Sequence, residues 1–102
     1  MSNESLLTLF RENLTLLQAL GDPVRQDIII ILASNGELNV GEITALTELS
    51  RPAVSHHLKI LKESNIIRMD KMGKNNVYSL DAKDSLKKLK GLISEVENSC
   101  NS

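Results

Sequence analysis

The spacing of apolar residues changes twice along this chain, and these changes limit the folds that it can adopt. Up to Ser64 the apolar residues recur every three or four positions, as they do on the buried face of a helix. Between Ile66 and Leu80 they alternate with polar residues in two short runs around the glycine-containing stretch 72–75, as in a β-hairpin. Beyond residue 82 the helical spacing returns. The sequence therefore predicts several helices, one hairpin and a final helix.

Capping residues divide the part before the hairpin into four helices. Asp22 and Pro23 are typical of a helix cap and first turn, and Ser50 with Pro52 repeats the pattern. The β-branched run at 28–32 would also suit a strand, but the cap before it favours a helix. The four predicted helices cover about residues 5–20, 23–34, 40–46 and 51–64.

The resulting order, α-α-α-α-β-β-α, is that of a winged helix-turn-helix, a mainly α fold with a small β-hairpin. We expect one domain over residues 1–102, the length of a single small domain. Within it, residues 40–64 or so form the helix-turn-helix, and residues 66–80 or so form the wing.

The chain's two histidines, His56 and His57, are adjacent, which raises the question of a metal, catalytic or surface-reading role. A step of 100° per residue puts Val54, Leu58 and Leu61 on the inward face of their helix. His57 then lies at the edge of that face, and His56 points outward. The two rings diverge by about 100°, whereas a metal-binding pair needs a spacing of three or four. We expect His57 to pack and to hydrogen-bond the neighbouring turn, and His56 to contact DNA or remain a plain surface residue.

The net charge of −1 conceals an uneven distribution. Residues 1–50 carry a net charge of −5, whereas residues 51–76 carry +4. A basic block of this kind can mark a polyanion site, although a solvated charged face would explain the charge equally well. The outward face of the helix at 51–64 also offers a hydroxyl, an imidazole and cations, which can contact phosphates and base edges.

Other functional classes find little support in the sequence. There is no glycine-rich phosphate loop and no nucleophile beside a base, since the side chains of Ser55 and His56 diverge. We predict that the protein is not an enzyme and that it needs no cofactor. No apolar run has the roughly 20 residues of a membrane span, and a single cysteine, Cys100, fits the reducing cytoplasm.

Three segments resemble the ArsR/SmtB family of bacterial winged-helix repressors. They are LGDPVRQDIIIIL at 20–32, ELNVGEITALTELSRPAVSHHLKILKESNIIR at 37–68, and GKNNVYSL at 73–80. The most specific part is the pattern S-x-x-x-V-S-H-H-L-K-x-L from Ser50 to Leu61. The resemblance implies a DNA-binding transcription regulator, a repressor that binds a pseudo-palindromic operator as a homodimer.

The resemblance also assigns positions in contact with DNA. The reading helix corresponds to about residues 51–63, and the wing to residues 71–76. Family members usually have a polar residue where Pro52 stands, so a base contact at that position is in doubt. The residues assigned to DNA are Ser50, Arg51, Pro52, Ser55, His56, Lys59, Lys71, Lys74 and Asn75.

The family's dimers form through the first and last helices, here about residues 5–20 and 82–98. Both helices carry more leucine than a core of this size needs, and apolar stripes left in water would favour aggregation. The surplus could instead pack within the monomer. The residues assigned to the dimer are Leu6, Leu9, Phe10, Leu86, Leu89, Ile93 and Val96.

Many members of the family sense metals, and this sequence departs from both metal motifs. Residues 39–41 read Asn-Val-Gly where the family often has Cys-x-Cys, so no thiolate is available there. At the site between the paired last helices, Leu86 replaces a ligand and no histidine remains. We therefore predict no metal site and an unknown inducer. Two alternatives stay open: a remnant site of Asp84, Glu97 and Cys100, or a thiol switch at Cys100.

The main alternative to a DNA-binding regulator is a winged-helix module that binds only proteins. Such a module has little use for the basic block at 51–76. Binding to duplex DNA that weakens steeply with salt would distinguish the two.

Overall fold

A computed structural model describes residues 3–100 of the chain, and this part contains six helices and three strands. The helices are α1 (Asn3–Glu12), α2 (Leu14–Leu20), α3 (Pro23–Asn35), α4 (Val40–Ala45), α5 (Arg51–Glu63) and α6 (Lys83–Cys100). The strands are β1 (Leu38–Asn39), β2 (Ile67–Met72) and β3 (Asn75–Leu80). The predicted mainly helical fold with a small hairpin is confirmed. Residues 1, 2, 101 and 102 of the predicted domain lie outside the described residues.

The first helix is not continuous, and its prediction as one helix over 5–20 is wrong. Asn13 separates α1 from α2, and its buried side chain donates from Nδ2 to the Leu9 carbonyl over 2.8 Å. The backbone N–H of Asn13 is shared between the carbonyls of Leu9 (3.2 Å) and Phe10 (3.1 Å). Asparagine competes in this way for backbone partners, which interrupts a helix.

The predicted helix caps are confirmed. The Asp22 carboxylate accepts the Val24 N–H at the start of α3 over 2.8 Å, and the Ser50 hydroxyl accepts the Ala53 N–H at the start of α5. Because its cap starts a helix, the β-branched run at 28–32 lies within α3, as expected.

The end of α5 turns the chain from helix to sheet. Asn65 adopts φ 58°, in the left-handed region that asparagine tolerates better than most residues. Its N–H donates to the Lys62 carbonyl, and the Ile66 N–H donates to the Leu61 carbonyl, the pattern of a Schellman motif. This motif ends the helix where the apolar period changes.

The sheet has three antiparallel strands in the order β1-β3-β2. The hairpin of β2 and β3 confirms the predicted wing, with Met72 paired to Asn75 around a two-residue turn in which Gly73 has φ 65°. The strand β1 was not predicted. It is only two residues long, and it pairs Leu38 with Tyr78 and thereby ties the start of α4 to the wing.

No helix within residues 3–100 combines the length and apolar content that crossing a membrane requires.

The core lies between α2, α3, α4 and α5, and it is closed by the start of β2. Leu16 of α2 belongs to the core. The buried cluster consists of Leu16, Ala19, Ile28, Leu32, Ile43, Val54, Leu58, Leu61, Ile66 and Ile67.

The last helix is held to the end of α5 by a buried serine. The Ser85 hydroxyl lies 2.8 Å from the carbonyl oxygen of Asn65 and 3.2 Å from that of Ser64. Leu92 is also buried, and α6 packs against α1. The helices α1 and α6 therefore pack together beside the core, to which α2 contributes Leu16 and Ala19.

Candidate nucleic-acid interface

Burial of one face of α5 fixes which side chains the helix presents outward. Val54, Leu58 and Leu61 are at most 1 % exposed, so the predicted inward face is confirmed. The opposite face is free of core contacts and begins at the helix cap. All six of the positions predicted for DNA in this segment are exposed: Ser50, Arg51, Pro52, Ser55, His56 and Lys59. Lys62 and Glu63, in the last turn of the helix, are exposed as well.

The two histidines point in different directions, as the helical spacing predicts. Their ring centroids are 5.7 Å apart and the ring planes are tilted by 59°. His56 is exposed, whereas His57 is half-buried and faces the first turn of α3. The prediction that His57 packs against a neighbouring turn is confirmed.

The wing brings a second set of predicted residues to the surface. Lys71, Lys74 and Asn75 are all exposed, and Lys74 lies in the two-residue turn at the tip of the hairpin. A cation at a hairpin tip can reach a phosphate or a groove that the helix itself does not touch. Contact of these residues with DNA remains a prediction.

A cleft of about 380 Å³ lies between the start of α5 and the wing. It joins Arg51 and Ser55 of the helix to Lys74 and Asn75 of the wing, so the fold brings together four predicted residues that are far apart in sequence. No carboxylate lines it. The full lining is Asn39, Val40, Gly41, Arg51, Ser55, Lys74, Asn75, Asn76 and Tyr78.

Three lining residues with polar side chains were missed from the sequence: Asn39, Asn76 and Tyr78. Asn39 and Tyr78 reach the cleft because β1 pairs with β3, and a two-residue strand leaves no periodic signal. Asn39 also caps α4, since its Oδ1 accepts the Glu42 N–H over 2.8 Å. The first residue of the Asn-Val-Gly stretch at 39–41 is therefore a helix cap.

The cations of this surface are not neutralised by neighbouring carboxylates. Within residues 3–100, no ion pair involves Arg51, Lys59, Lys71 or Lys74, whereas Arg68 pairs with Asp70 over 3.0 Å. Because phosphate contacts need cations that are free to exchange their counterions, these four are available to a polyanion. The cleft and the outward face of α5 together have the donors that a nucleic acid requires.

A separate apolar surface runs along α1 and α2. Leu7, Phe10, Leu14 and Leu17 are 37–51 % exposed and follow each other at intervals of three or four. The inward face of the same helices carries Leu6, Leu9 and Leu16, so leucines lie on both sides of these helices. Leu7, Leu14 and Leu17 therefore extend the surface predicted for the dimer.

The last helix also carries exposed apolar side chains. Leu86 and Ile93 are 43 % and 47 % exposed and seven positions apart, which places them on one side of α6. Among the other predicted dimer residues, Phe10 is exposed, and four are half-buried within the monomer. Those four are Leu6, Leu9, Leu89 and Val96.

The possible remnant metal ligands do not converge in one chain. Asp84 lies in the first turn of α6, and Glu97 and Cys100 lie in its last turn, about 20 Å away at 1.5 Å per residue. In the part of the chain that the structure describes, no three side chains of His, Cys, Asp or Glu gather as a metal site would need. Any site from these three would require two chains.

Comparisons with known proteins agree with this geometry. The family profile described as bacterial regulatory protein, arsR family, matches residues 22–68, which span α3, α4, α5 and the start of the wing. The chain is 37 % identical over 79 residues to the uncharacterized HTH-type transcriptional regulator MJ1325 of Methanocaldococcus jannaschii, covering 78 % of this chain and 88 % of that protein.

Two further similarities extend over most of the chain. The transcriptional repressor SdpR of Bacillus subtilis is 32 % identical over 84 residues, covering 79 % of this chain and 92 % of SdpR. The crystal structure of the ArsR family transcriptional regulator RHA00566 superposes with a TM-score of 0.76 at 25 % identity, covering 90 % of this chain and 94 % of that one.

Proposed function

The chain belongs to the arsR family of DNA-binding transcription regulators, and we propose that it represses transcription by binding a pseudo-palindromic operator as a homodimer. In this proposal each protomer acts as a single winged helix-turn-helix unit, and its α5 reads the major groove. Ser55 and His56 contact base edges, while Arg51 and Lys59 contact phosphates. The wing residues Lys71, Lys74 and Asn75 contact the neighbouring groove or its phosphates.

One observation supports the DNA contacts most strongly. The outward face of α5 and the tip of the wing border the same cleft, and its lining contains two cations and no carboxylate. Cations without neighbouring carboxylates suit a polyanion such as a phosphate backbone. A phosphate backbone that passes from the helix to the wing could accept hydrogen bonds from the guanidinium of Arg51, the hydroxyl of Ser55 and the ammonium of Lys74.

The apolar surface of α1, α2 and α6 supports the dimer. Six large apolar side chains there are more than a third exposed, and each would contribute about 1.5–3 kcal/mol if it were fully buried. A two-fold dimer through this surface would set two reading helices about 34–36 Å apart, the length of one DNA turn. Pairing of the two helices with two half-sites is the reason that we propose a pseudo-palindromic operator.

The two metal motifs of the family are altered in this chain. Residues 39–41 lack thiolates, and α6 lacks histidine, so we propose that the usual metal sites of the family are lost and that no cofactor is needed. The inducer is unknown. A repressor of this kind would work in the cytoplasm, where its operator is found.

A salt titration tests the proposal. We expect the affinity for duplex DNA to fall linearly with salt on logarithmic axes, with a slope of about −0.9 for each phosphate contacted. The variant Lys74→Ala should weaken binding to all duplexes alike and make the slope shallower by about one. Fluorescence anisotropy at several salt concentrations measures both quantities.

The matched control is Lys88→Ala, which removes the same charge from an exposed position of α6 that lies on the other side of the helix from Leu86 and Ile93. It should leave the slope unchanged. If the affinity of the wild-type protein were insensitive to salt, the protein-binding module would become the better account. If both variants changed the slope equally, the wing would not be part of the DNA contact.

A further inference from the structure

Arg25, which belongs to α3, contacts both the end of α2 and the helix α5. It lies in the first turn of α3, and only 13 % of its side chain is exposed. Its Nε donates to the Ala19 carbonyl over 2.9 Å, and its Nη2 donates to the Gln18 carbonyl over 3.0 Å. The last carbonyls of a helix have no partner within that helix. Arg25 therefore supplies the donors that close the end of α2.

The remaining nitrogen of Arg25, Nη1, faces two side chains. It lies 3.2 Å from Oδ2 of Asp22 and 3.4 Å from Nδ1 of His57 on the reading helix. The Val24 N–H that Asp22 accepts, and then the charge of Arg25, hold the pKa of this carboxyl below its usual value against the opposing effect of desolvation. Asp22 is therefore ionised at neutral pH and orients the guanidinium towards His57.

This contact favours one tautomer of His57. A guanidinium can only donate hydrogen bonds, so Nδ1 of His57 must accept through its lone pair. This geometry fits the tautomer that carries its proton on Nε2. A protonated ring would turn an N–H towards the N–H groups of Arg25 and place two cations 3.4 Å apart. The charged and titratable groups facing His57 are Arg25, Asp22 and the neighbouring His56.

The contact between Arg25 and His57 lies beside the residues proposed to read DNA. His57 directly follows His56 on α5, and α2 carries Leu14 and Leu17 of the apolar surface. We infer that Arg25 and His57 are positioning residues that fix the reading helix against the dimerisation helices, and that neutral His57 is required for operator-specific binding. This inference rests on the proposed function, because the angle of α5 matters only if two half-sites are read at once.

The test compares operator-specific with non-specific binding at two pH values. The affinity ratio between a selected operator and a random duplex is measured at pH 8 and pH 5.5 at constant ionic strength, since histidines change charge between about pH 5 and 8. We expect the wild-type ratio to fall about tenfold or more on acidification, the equivalent of one hydrogen bond to a charged group. Non-specific affinity should not fall, because added positive charge favours phosphates.

Two substitutions of His57 separate the contact from the packing. His57→Asn retains an acceptor in place of Nδ1 but does not titrate, so it should keep a high ratio at both pH values. His57→Leu retains the bulk and loses the acceptor, so its ratio should be low at both, while sedimentation should still show a dimer. If His57→Asn lost the operator ratio at pH 5.5 as the wild type does, the inference would be wrong even though the proposed function stood.

A measurement without DNA keeps the inference testable if His57→Leu fails to fold. The ring ¹⁵N chemical shifts of the wild-type protein at pH 8 report the tautomer, and we expect Nδ1 of His57 to be unprotonated and Nε2 to be protonated. Arg25→Lys should abolish this preference, because a point charge cannot span three helices as the planar group does. Protonated Nδ1 in the wild type would overturn the inference. A wild type with no operator preference at pH 8 would instead overturn the proposed function and the inference together.

Discussion

We expect the double variant Ser55→Ala, His56→Ala to lose its preference for the operator and to bind it about as weakly as random duplex DNA. Both side chains lie on the exposed face of α5, and neither takes part in the core. A direct base contact contributes about 1–3 kcal/mol of discrimination. Two such contacts therefore correspond to at least about a 30-fold loss for each half-site. Competition binding with operator and random duplexes measures the loss.

The variant should remain folded, because substitutions at exposed sites change the free energy of unfolding by no more than about 0.5 kcal/mol. Ser34→Ala, an exposed serine at the end of α3, is the control and should bind as the wild type does. If the double variant still selected the same operator as the wild type, α5 would not be the reading helix.

The second large effect is expected from charges placed on the apolar surface of α6. The double variant Leu86→Asp, Ile93→Asp should be monomeric and should bind the full operator at least about 100-fold more weakly than the wild type. Each side chain contributes about 1.5–3 kcal/mol if it is buried in an interface, and a two-fold dimer contains each of them twice. An unpaired carboxylate would add a desolvation cost. Analytical ultracentrifugation and binding to full and half operators measure the two effects.

Ile30→Asp is the matched control for this prediction. Ile30 is 64 % exposed, more than either α6 residue, but it lies on α3 outside the proposed dimer surface. That variant should stay dimeric and retain its affinity. A monomeric Ile30→Asp, or a dimeric α6 variant, would place the interface elsewhere.

Local signals predicted most of this fold. The cap residues Asp22 and Ser50, the change of apolar period after Ser64, and the three-residue inward face of α5 each depend on near neighbours in sequence. The orientation of Ser55 and His56 followed directly from that inward face. For this reason the outward surface of the reading helix could be derived without coordinates.

The features that were missed depend on contacts between distant residues. The strand β1 is too short to show a period, so the roles of Asn39 and Tyr78 in the cleft had no signal in the sequence. The break at Asn13 needed knowledge that its side chain is buried beside the Leu9 carbonyl. The contact of Arg25 with His57 joins residues 32 positions apart, and helical spacing could only place His57 at the edge of a buried face.

Selection of bound sequences from a pool of random duplexes tests the central claim most directly. A dimer that places two α5 helices in successive major grooves should enrich an inverted repeat whose half-site centres are about 10–10.5 base pairs apart, or a multiple of that distance. Enrichment of a single unrepeated element, or of no sequence at all, would contradict the account of a dimeric operator-binding repressor.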